Sequence, residues 1–330
     1  MTLTQTAVIT KRAIIIIVVS FFLLVFGKIG WEIYYRYTLS QLPPPTQSAE
    51  QKFGSIPAII FPTSKSNSAN FSYSVDTTTG ELPNFPKLIK VYFIPQAGLS
   101  LLAPDRAKSL AQKLNFLNGP DNPTPEVYRF TDQNSGELII DTPTGNFYYN
   151  LSLADATPSG NLNLVKKDKI IEDFKKFLAD KISLPDSISS GRGEIMISDN
   201  PKTGVISLIP ADFDNLPIIT ASYNQGLIRA DITLTESDMP LKYIKVNYTF
   251  WPIDPTTFST YPLKTSTQAL SDLKTSRAYV SLSSTNFHIS ITSVKLAYFE
   301  TEYYTPYLQP VFVFEGPGFV ALVPAISTQN

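Results

Sequence analysis

The sequence contains no cysteine and a single histidine among its 330 residues. Without cysteine the chain forms no disulfide, no thiolate metal site and no thiol nucleophile, and His288 alone cannot build a multi-histidine zinc site. Charged residues make up 17% of the chain, below the roughly 25% of an average soluble protein, and the formal net charge is −1. The sequence has no basic stripe that would neutralise phosphates, so we expect no nucleic-acid partner.

Motifs that would indicate catalysis or cofactor binding are also scarce. The glycine-containing turns GRG (191–193) and EGPG (315–318) do not match a phosphate-binding loop. Asp212 and Asp214 place two carboxylates close together in a loop, but the EF-hand spacing and its closing glutamate are missing. We therefore expect a protein that is not an enzyme and that binds no cofactor and no metal.

Three other polar stretches have an ordinary structural interpretation. The segment SDNPKTG (198–204) indicates a hairpin turn rather than part of a serine–lysine pair. Glu300 and Glu302 lie two residues apart, as on one face of a strand, which suggests a solvated strand end rather than a glycosidase pair. His288 alternates with apolar neighbours in NFHISIT and is expected on the solvent face of a strand.

A long apolar run lies near the N-terminus. From Ala13 to Gly27 the only polar residue is Ser20, and aromatic residues follow the run. This composition predicts a transmembrane helix over residues 13–35 that stays uncleaved, because the small residues of a leader cleavage site are missing. The residues expected in the membrane anchor are Ile14, Ile17, Phe21, Leu24, Phe26 and Trp31.

The orientation of this predicted anchor does not follow from charge. Lys11 and Arg12 precede the run, and Lys28 and Arg36 follow it, so the positive-inside count is balanced. Residues 1–12 are too few for a domain, which favours a cytoplasmic tail. We therefore expect a single-pass membrane protein with a cytoplasmic N-terminus, the bulk of the chain extracytoplasmic, and the bilayer as one partner.

The rest of the chain predicts an α+β fold in two domains. A proline-rich linker spans residues 36–55, a first domain residues 56–158 and a second domain residues 159–330. The short runs EVYRFTD, ELIIDT and NFYYNLSL predict a β-meander in the first domain. The expected fold class is α+β, with an N-terminal transmembrane helix followed by tandem modules of short helices packed on antiparallel β-sheets.

Three segments carry the pattern of amphipathic helices. APDRAKSLAQKLNFLNG (103–119) has apolar residues on one face, with Pro104 suited to the first turn. KKDKIIEDFKKFLADK (166–181) has the same periodicity. A third helix follows Thr265, which can form a capping box with Gln268.

A helix followed by a meander occurs twice in similar form. RAKSLAQKLNF precedes YRFTD, ELIID and TGNFYYN, and YPLKTSTQAL precedes VKLAYFE and LQPVFVFEG, over Ala103–Asn150 and Asn224–Gly316. This arrangement resembles PepSY-like modules, and the tandem version behind one N-terminal helix resembles YycH/YycI-type regulators of a cell-wall two-component kinase. The resemblance implies a sensory or inhibitory membrane-anchored ectodomain with no catalysis of its own.

An aromatic cluster near the C-terminus is the candidate partner-binding surface. Tyr298, Tyr303, Tyr304 and Tyr307 lie within ten residues of one another. Aromatic side chains are enriched at binding surfaces, and they also fill the cores of β-sheets. Both interpretations remain open for these four residues.

Three functions fit these observations. The first is a non-catalytic, membrane-anchored sensory or regulatory module that binds a protein or a component of the cell envelope. The second is an envelope scaffold that assembles through an exposed strand edge. The third is an anchored hydrolase, which would need clustered acids in a pocket. The sequence does not identify the partner or the oligomeric state.

Overall fold

A computed structural model describes residues 23–35, 48–64, 66–152, 167–197, 203–233 and 242–327. The chain divides into two compact units, Met1–Ser48 and Ala49–Asn330.

In the first unit, residues 23–35 form a helix, α1, whose side chains are exposed along its whole described length. Among the described residues, the structure contains no helix with both the length and the apolar character needed to span a membrane. The predicted single-pass membrane topology is therefore wrong, together with the cytoplasmic and extracytoplasmic localisation derived from it.

The residues assigned to the anchor divide between described and undescribed parts of the chain. Leu24, Phe26 and Trp31 are on α1 and are 75%, 64% and 71% exposed. Ile14, Ile17 and Phe21 lie outside the described residues, as do the predicted tail 1–12 and most of the predicted linker.

The second unit is built mainly from β-strands. Its helices are α2 (Ala103–Lys113), α3 (Lys167–Lys181), α4 (Asp186–Ser189) and α5 (Ser266–Lys274), with a 3-10 turn at Ser68–Asn70. Its strands are β1 (Ser72–Val75), β2 (Leu88–Phe93), β3 (Asn118–Thr124), β4 (Val127–Thr131), β5 (Glu137–Asp141), β6 (Phe147–Asn150), β7 (Arg192–Ile197), β8 (Thr203–Ile209), β9 (Ile218–Ile219), β10 (Ile228–Thr233), β11 (Lys242–Tyr248), β12 (Asp254–Pro262), β13 (Tyr279–Leu282), β14 (His288–Ile291), β15 (Ser293–Phe299), β16 (Tyr307–Gly316) and β17 (Phe319–Pro324).

An eight-stranded antiparallel sheet has the order β3-β4-β5-β6-β11-β10-β8-β7. Apolar residues of this sheet, of α2 and of α3 form one core, with Phe174 and Leu178 fully buried on the sheet-facing side of α3. The glycine at 193 on β7 allows this close approach, because a Cβ there would lie 2.6 Å from the Ile171 side chain.

A seven-stranded sheet has the path β12-β2-β16-β15-β9, and β17 joins β16 to β13. Alternate residues of β15, β16 and β17 belong to two different cores, so this sheet is buried on both faces. One face packs against α5 and a small parallel sheet of β1 and β14. The opposite face packs against Ile59, Phe61 and Ala221.

These sheets correct the predicted fold class. Most of the regular structure in the described chain is β-sheet. The predicted class, an α+β fold with a transmembrane helix and tandem modules of short helices on antiparallel sheets, is therefore wrong. The pairs β1–β14 and β15–β9 are parallel rather than antiparallel. Strands also pair across the boundary expected at residue 158, since β6 pairs with β11 and β2 pairs with β12 and β16. Periodicity identifies a strand, but it carries no information about which distant strand is its neighbour.

The N-terminal strap, residues 49–64, covers edges of the seven-stranded sheet. The backbone amide of Gln51 donates to the carbonyl oxygen of Thr260 on β12 at 3.2 Å. The Phe61 ring lies 5.3 Å from the ring of Tyr279 on β13. The Ser64 hydroxyl donates to the carbonyl oxygen of Val280 at 3.3 Å. The strap therefore shields the edges of β12 and β13 from further strand pairing.

The capping box expected at the start of α5 is confirmed. The Thr265 side chain accepts a hydrogen bond from the Gln268 amide at 3.2 Å, and the Gln268 side chain accepts one from the Thr265 amide at 2.8 Å. The helix places Ala269 and Leu273 in the core of the seven-stranded sheet. The local sequence thus fixes where α5 begins and which face it buries.

Replacement of the capping hydroxyl tests this arrangement. We expect Thr265→Ala to lower the free energy of unfolding of the full chain by about 1 kcal/mol, because it leaves a helix amide without its acceptor. Urea titration followed by circular dichroism measures the change. Ser271→Ala, on the exposed side of the same helix, serves as the control and should shift it by less than about 0.5 kcal/mol. Equal effects of the two variants would contradict a stabilising role of the cap.

Candidate functional site

The aromatic groove is an open cavity of about 530 Å³ where α2 and α3 both end, beside β6 and the start of β11. Its floor consists of the side chains of Phe116, Tyr149, Phe177 and Tyr243. A volume in this range is typical of pockets that bind ligands of substantial size.

The end of α2 positions Phe116 in the groove. Asn115 adopts a left-handed conformation with φ 64°, which asparagine tolerates better than most residues. The amide of Phe116 donates to the carbonyl oxygen of Ala111 at 2.9 Å, and the amide of Asn115 donates to that of Gln112 at 3.1 Å. This pair of bonds is the Schellman arrangement, and it turns Phe116 back onto the core. The helix therefore ends at Lys113 rather than near residue 119, where the sequence pattern ends.

The floor is a continuous set of ring contacts. The rings of Phe177 and Tyr243 lie 4.5 Å apart, and those of Phe116 and Tyr149 lie 5.8 Å apart. The Tyr149 hydroxyl donates to the carbonyl oxygen of Tyr243 at 3.3 Å, which joins the two pairs. Such a floor offers rigid apolar contact area to an incoming ligand.

Burial keeps the tyrosine hydroxyls of the floor neutral. Desolvation raises the pKa of Tyr149, and the neighbouring Tyr243 adds to the shift. Desolvation also raises the pKa of Tyr243, with a further contribution from Asp173. The floor therefore adds no charge, and the charges of the groove lie on its rim.

The rim of the groove is rich in lysine. The Lys113 ammonium donates to the carbonyl oxygen of Lys181 at the end of α3, at 3.1 Å. The Lys181 ammonium lies 5.8 Å from the centre of the Phe177 ring. Both cations also sit at helix C-termini, where they are favourable to the helix dipole. The charged lining residues are Lys113, Lys176, Lys181, Lys242, Asp173 and Asp180.

The four candidate tyrosines near the C-terminus lie in different environments. Tyr298 is 1% exposed and belongs to the core, with its hydroxyl donating to the carbonyl oxygen of Lys90. Tyr303 is 83% exposed. Tyr304 is half-buried against Trp251. For Tyr298 the burial agrees with the core interpretation, because the seven-stranded sheet is covered on both faces.

The fourth tyrosine is also an internal packing residue. Tyr307 is half-buried and packs its ring 5.1 Å from that of Phe53 in the N-terminal strap. The residues of the aromatic groove were not singled out from sequence. The signal that could have found Phe116 is the asparagine directly before it, which favours a left-handed helix end.

The carboxylates considered from sequence have separate roles. Asp214 lies 3.1 Å from the Lys90 ammonium and accepts a hydrogen bond from the Tyr92 hydroxyl at 2.8 Å, so its charge is neutralised within the fold. Glu302 pairs with Arg229 on β10 at 2.6 Å. Asp212 takes no part in either contact, and most of the turn 198–204 lies outside the described residues.

Glu300 is buried directly after β15. It is 6% exposed, and its backbone amide donates to the carbonyl oxygen of Ile219 at 2.8 Å. Desolvation is the one cause of the shift in its pKa, with no contribution from a hydrogen bond or a neighbouring charge. Burial raises the pKa of Glu300 to about 8.

His288 is exposed on β14 and links this strand to β1. Its Nδ1 lies 2.9 Å from the Ser72 hydroxyl, and its Nε2 lies 3.1 Å from the Ser74 hydroxyl. The nearby carboxylate of Asp76 accepts from Ser290 instead. The imidazole therefore joins two strands through serine contacts, and these two contacts among the described residues include no carboxylate that would orient it as a general base.

Comparisons with known proteins yield only a distant structural likeness. No protein-family model and no curated protein matches the chain. The crystal structure of an uncharacterised protein from Eubacterium rectale is similar over 74% of this chain and 86% of that chain, with 13% sequence identity and a TM-score of 0.33.

The buried carboxyl group predicts a pH-dependent stability. The pKa of Glu300 rises from an ordinary value of 4.5 to about 8 on folding, so the folded chain holds a proton that the unfolded chain releases. The contribution of this proton to the free energy of unfolding is fully present below about pH 4.5. It is lost as the pH rises to about 8, at roughly 1.4 kcal/mol per pH unit. We expect Glu300→Gln to remove this slope, as measured by urea unfolding at a series of pH values.

The neighbouring glutamate provides the matched control. Glu302→Gln makes the same chemical change at a side chain that is 49% exposed, and it should leave the slope in place. A wild-type slope that Glu300→Gln does not change would contradict the burial of an uncompensated carboxyl group.

Proposed function

We propose that the protein is a non-catalytic recognition domain whose aromatic groove binds an extended, acidic segment of a partner protein through an apolar anchor. The observation that carries this proposal is the aromatic floor of the groove beneath a rim on which lysines outnumber aspartates.

The floor supports an apolar or aromatic anchor in the ligand. Phe177 remains half-buried above the core, and it has ring contacts with both Tyr243 and Phe174. A side chain placed here would bury apolar area against rings that are already held in position. Anchors of this kind contribute most of the binding energy in many protein interfaces.

The rim supports carboxylates beside that anchor. Four lysines and two aspartates line the groove, so an acidic segment gains attraction and a basic one is repelled. Exposed ion pairs add little affinity individually, but they select the sign of the partner and accelerate its association. A regulatory role through partner binding is also what the sequence resemblance to PepSY-like modules implies.

A labelled peptide tests the proposal directly. The probe is a fluorescein-labelled dodecapeptide with central tryptophan and leucine residues flanked by aspartate and glutamate, titrated with the full chain by fluorescence anisotropy. We expect saturable binding that weakens as salt is raised. The double variant Lys181→Gln/Lys242→Gln removes two half-buried rim lysines. It should weaken binding by about three- to tenfold, since each such charge contributes up to about 1 kcal/mol.

The controls separate groove binding from general attraction. Lys108→Gln/Lys169→Gln makes the same change in net charge at exposed lysines of α2 and α3 that do not line the groove, and it should leave the affinity unchanged. A peptide with serine in place of tryptophan and leucine should bind weakly. The proposal is overturned if the acidic peptide fails to bind, if a neutral peptide binds as tightly, or if both double variants lose the same affinity.

A further inference from the structure

A second cavity, of about 170 Å³, lies over one face of the seven-stranded sheet. We call it the sheet cavity, and it shares no lining residue with the aromatic groove. Its inner wall consists of Ala297, Val313, Val320 and Leu322 on three neighbouring strands. These four side chains are at most 6% exposed and belong to one core cluster, so the wall is apolar and fixed.

The outer wall is the segment 217–225, which begins with the short strand β9 and continues as a loop that hydrogen bonds hold in place. The Thr220 hydroxyl donates to the carbonyl oxygen of Gln225 at 2.8 Å. The carbonyl oxygen of Ala221 accepts from the Ser281 hydroxyl at 2.6 Å, and that of Pro217 accepts from the Tyr298 amide at 2.9 Å. The cavity is therefore bounded on both sides by structure that is formed before any ligand arrives.

One unpaired cation stands among the polar groups that line the cavity. The Lys295 ammonium is 2.8 Å from the Glu315 carboxylate, so these two charges compensate each other. The Arg192 guanidinium makes no ion pair or hydrogen bond with any residue that the structure describes. Arg192 is exposed, which places its charge on the solvent side of the cavity. The lining consequently carries a net positive charge next to an apolar wall.

We propose that the sheet cavity binds a small carboxylate with a branched aliphatic tail. The tail would pack on the valine, leucine and alanine side chains, and the carboxylate would accept hydrogen bonds from Arg192, whose planar guanidinium matches its geometry. The volume is close to that of an apolar cavity of about 150 Å³ that accepts benzene, so the ligand has about six to eight non-hydrogen atoms. Drug-sized ligands need more than about 300 Å³.

The test uses 4-methylpentanoate as the probe and the full chain as the protein. Titration is followed by methyl ¹³C–¹H spectra, in which the signals of Val313, Val320 and Leu322 report on the cavity wall. We expect saturable shifts of these signals with 4-methylpentanoate, and binding at least about tenfold weaker for 4-methylpentanamide, because a charged acceptor strengthens the hydrogen bond.

Two variants locate the site. Arg192→Gln should weaken carboxylate binding by at least about tenfold and remove the preference over the amide. Arg106→Gln changes another exposed arginine, one that does not line this cavity, and it should bind the probe as the wild type does. Thermal unfolding of each variant shows whether the fold is retained.

Several outcomes would overturn the proposal. Equal affinity for 4-methylpentanoate and 4-methylpentanamide would show that the guanidinium does not bind the carboxylate. Unchanged affinity in Arg192→Gln, or shifts confined to methyl groups away from the cavity, would place the probe elsewhere. Absence of saturable shifts at millimolar probe would exclude the site for this class of ligand.

Discussion

Strand β16 is the element on which the second compact unit depends, because it must be covered on both faces. Phe312 and Phe314 point into the core beneath α5, and Val311 and Val313 point into the opposite core. β16 also pairs with β15 on one side and with β2 and β17 on the other. An apolar strand of this kind is stable only when two separate layers exclude water from it. The strap, α5 and the loop that follows β9 supply those layers, and the sheet cavity lies between that loop and the sheet.

The eight-stranded sheet differs from the seven-stranded sheet in its covering, since α2 and α3 pack on one of its faces. Both helices end at the same border, and the Schellman turn at Asn115 fixes the end of α2. The sheet continues under this border through Tyr149 and Tyr243. The aromatic groove is thus a consequence of helix length, because α2 and α3 end before they cover the aromatic side chains of the sheet beneath them. The lysines on its rim both complement the helix ends and give the groove its charge.

Local signals in the sequence predicted several elements of this fold. The amphipathic patterns identified α2, α3 and α5, and EVYRFTD, ELIIDT and NFYYNLSL correspond to β4, β5 and β6. The order of the strands could not be predicted, because the pairing of β6 with β11 and of β2 with β16 joins residues far apart in sequence. The apolar run before Lys28 predicts a membrane span from composition alone, and the described residues contain no helix with the length and apolar character for one. Alternation also fails where both faces are buried: Tyr298 and Phe299 are adjacent, and both lie in cores.

Glu300 and Arg192 show why an acidic side chain is buried in this fold and a basic one stays exposed. A carboxyl group can enter an apolar region by keeping its proton, and burial of Glu300 has that effect on its pKa. A guanidinium has no such route, because it stays protonated at any pH that a folded protein tolerates. Arg192 therefore remains exposed, at the solvent side of the sheet cavity. A charge that burial cannot neutralise, next to a preformed apolar wall, is the combination that distinguishes a binding site from a packing defect.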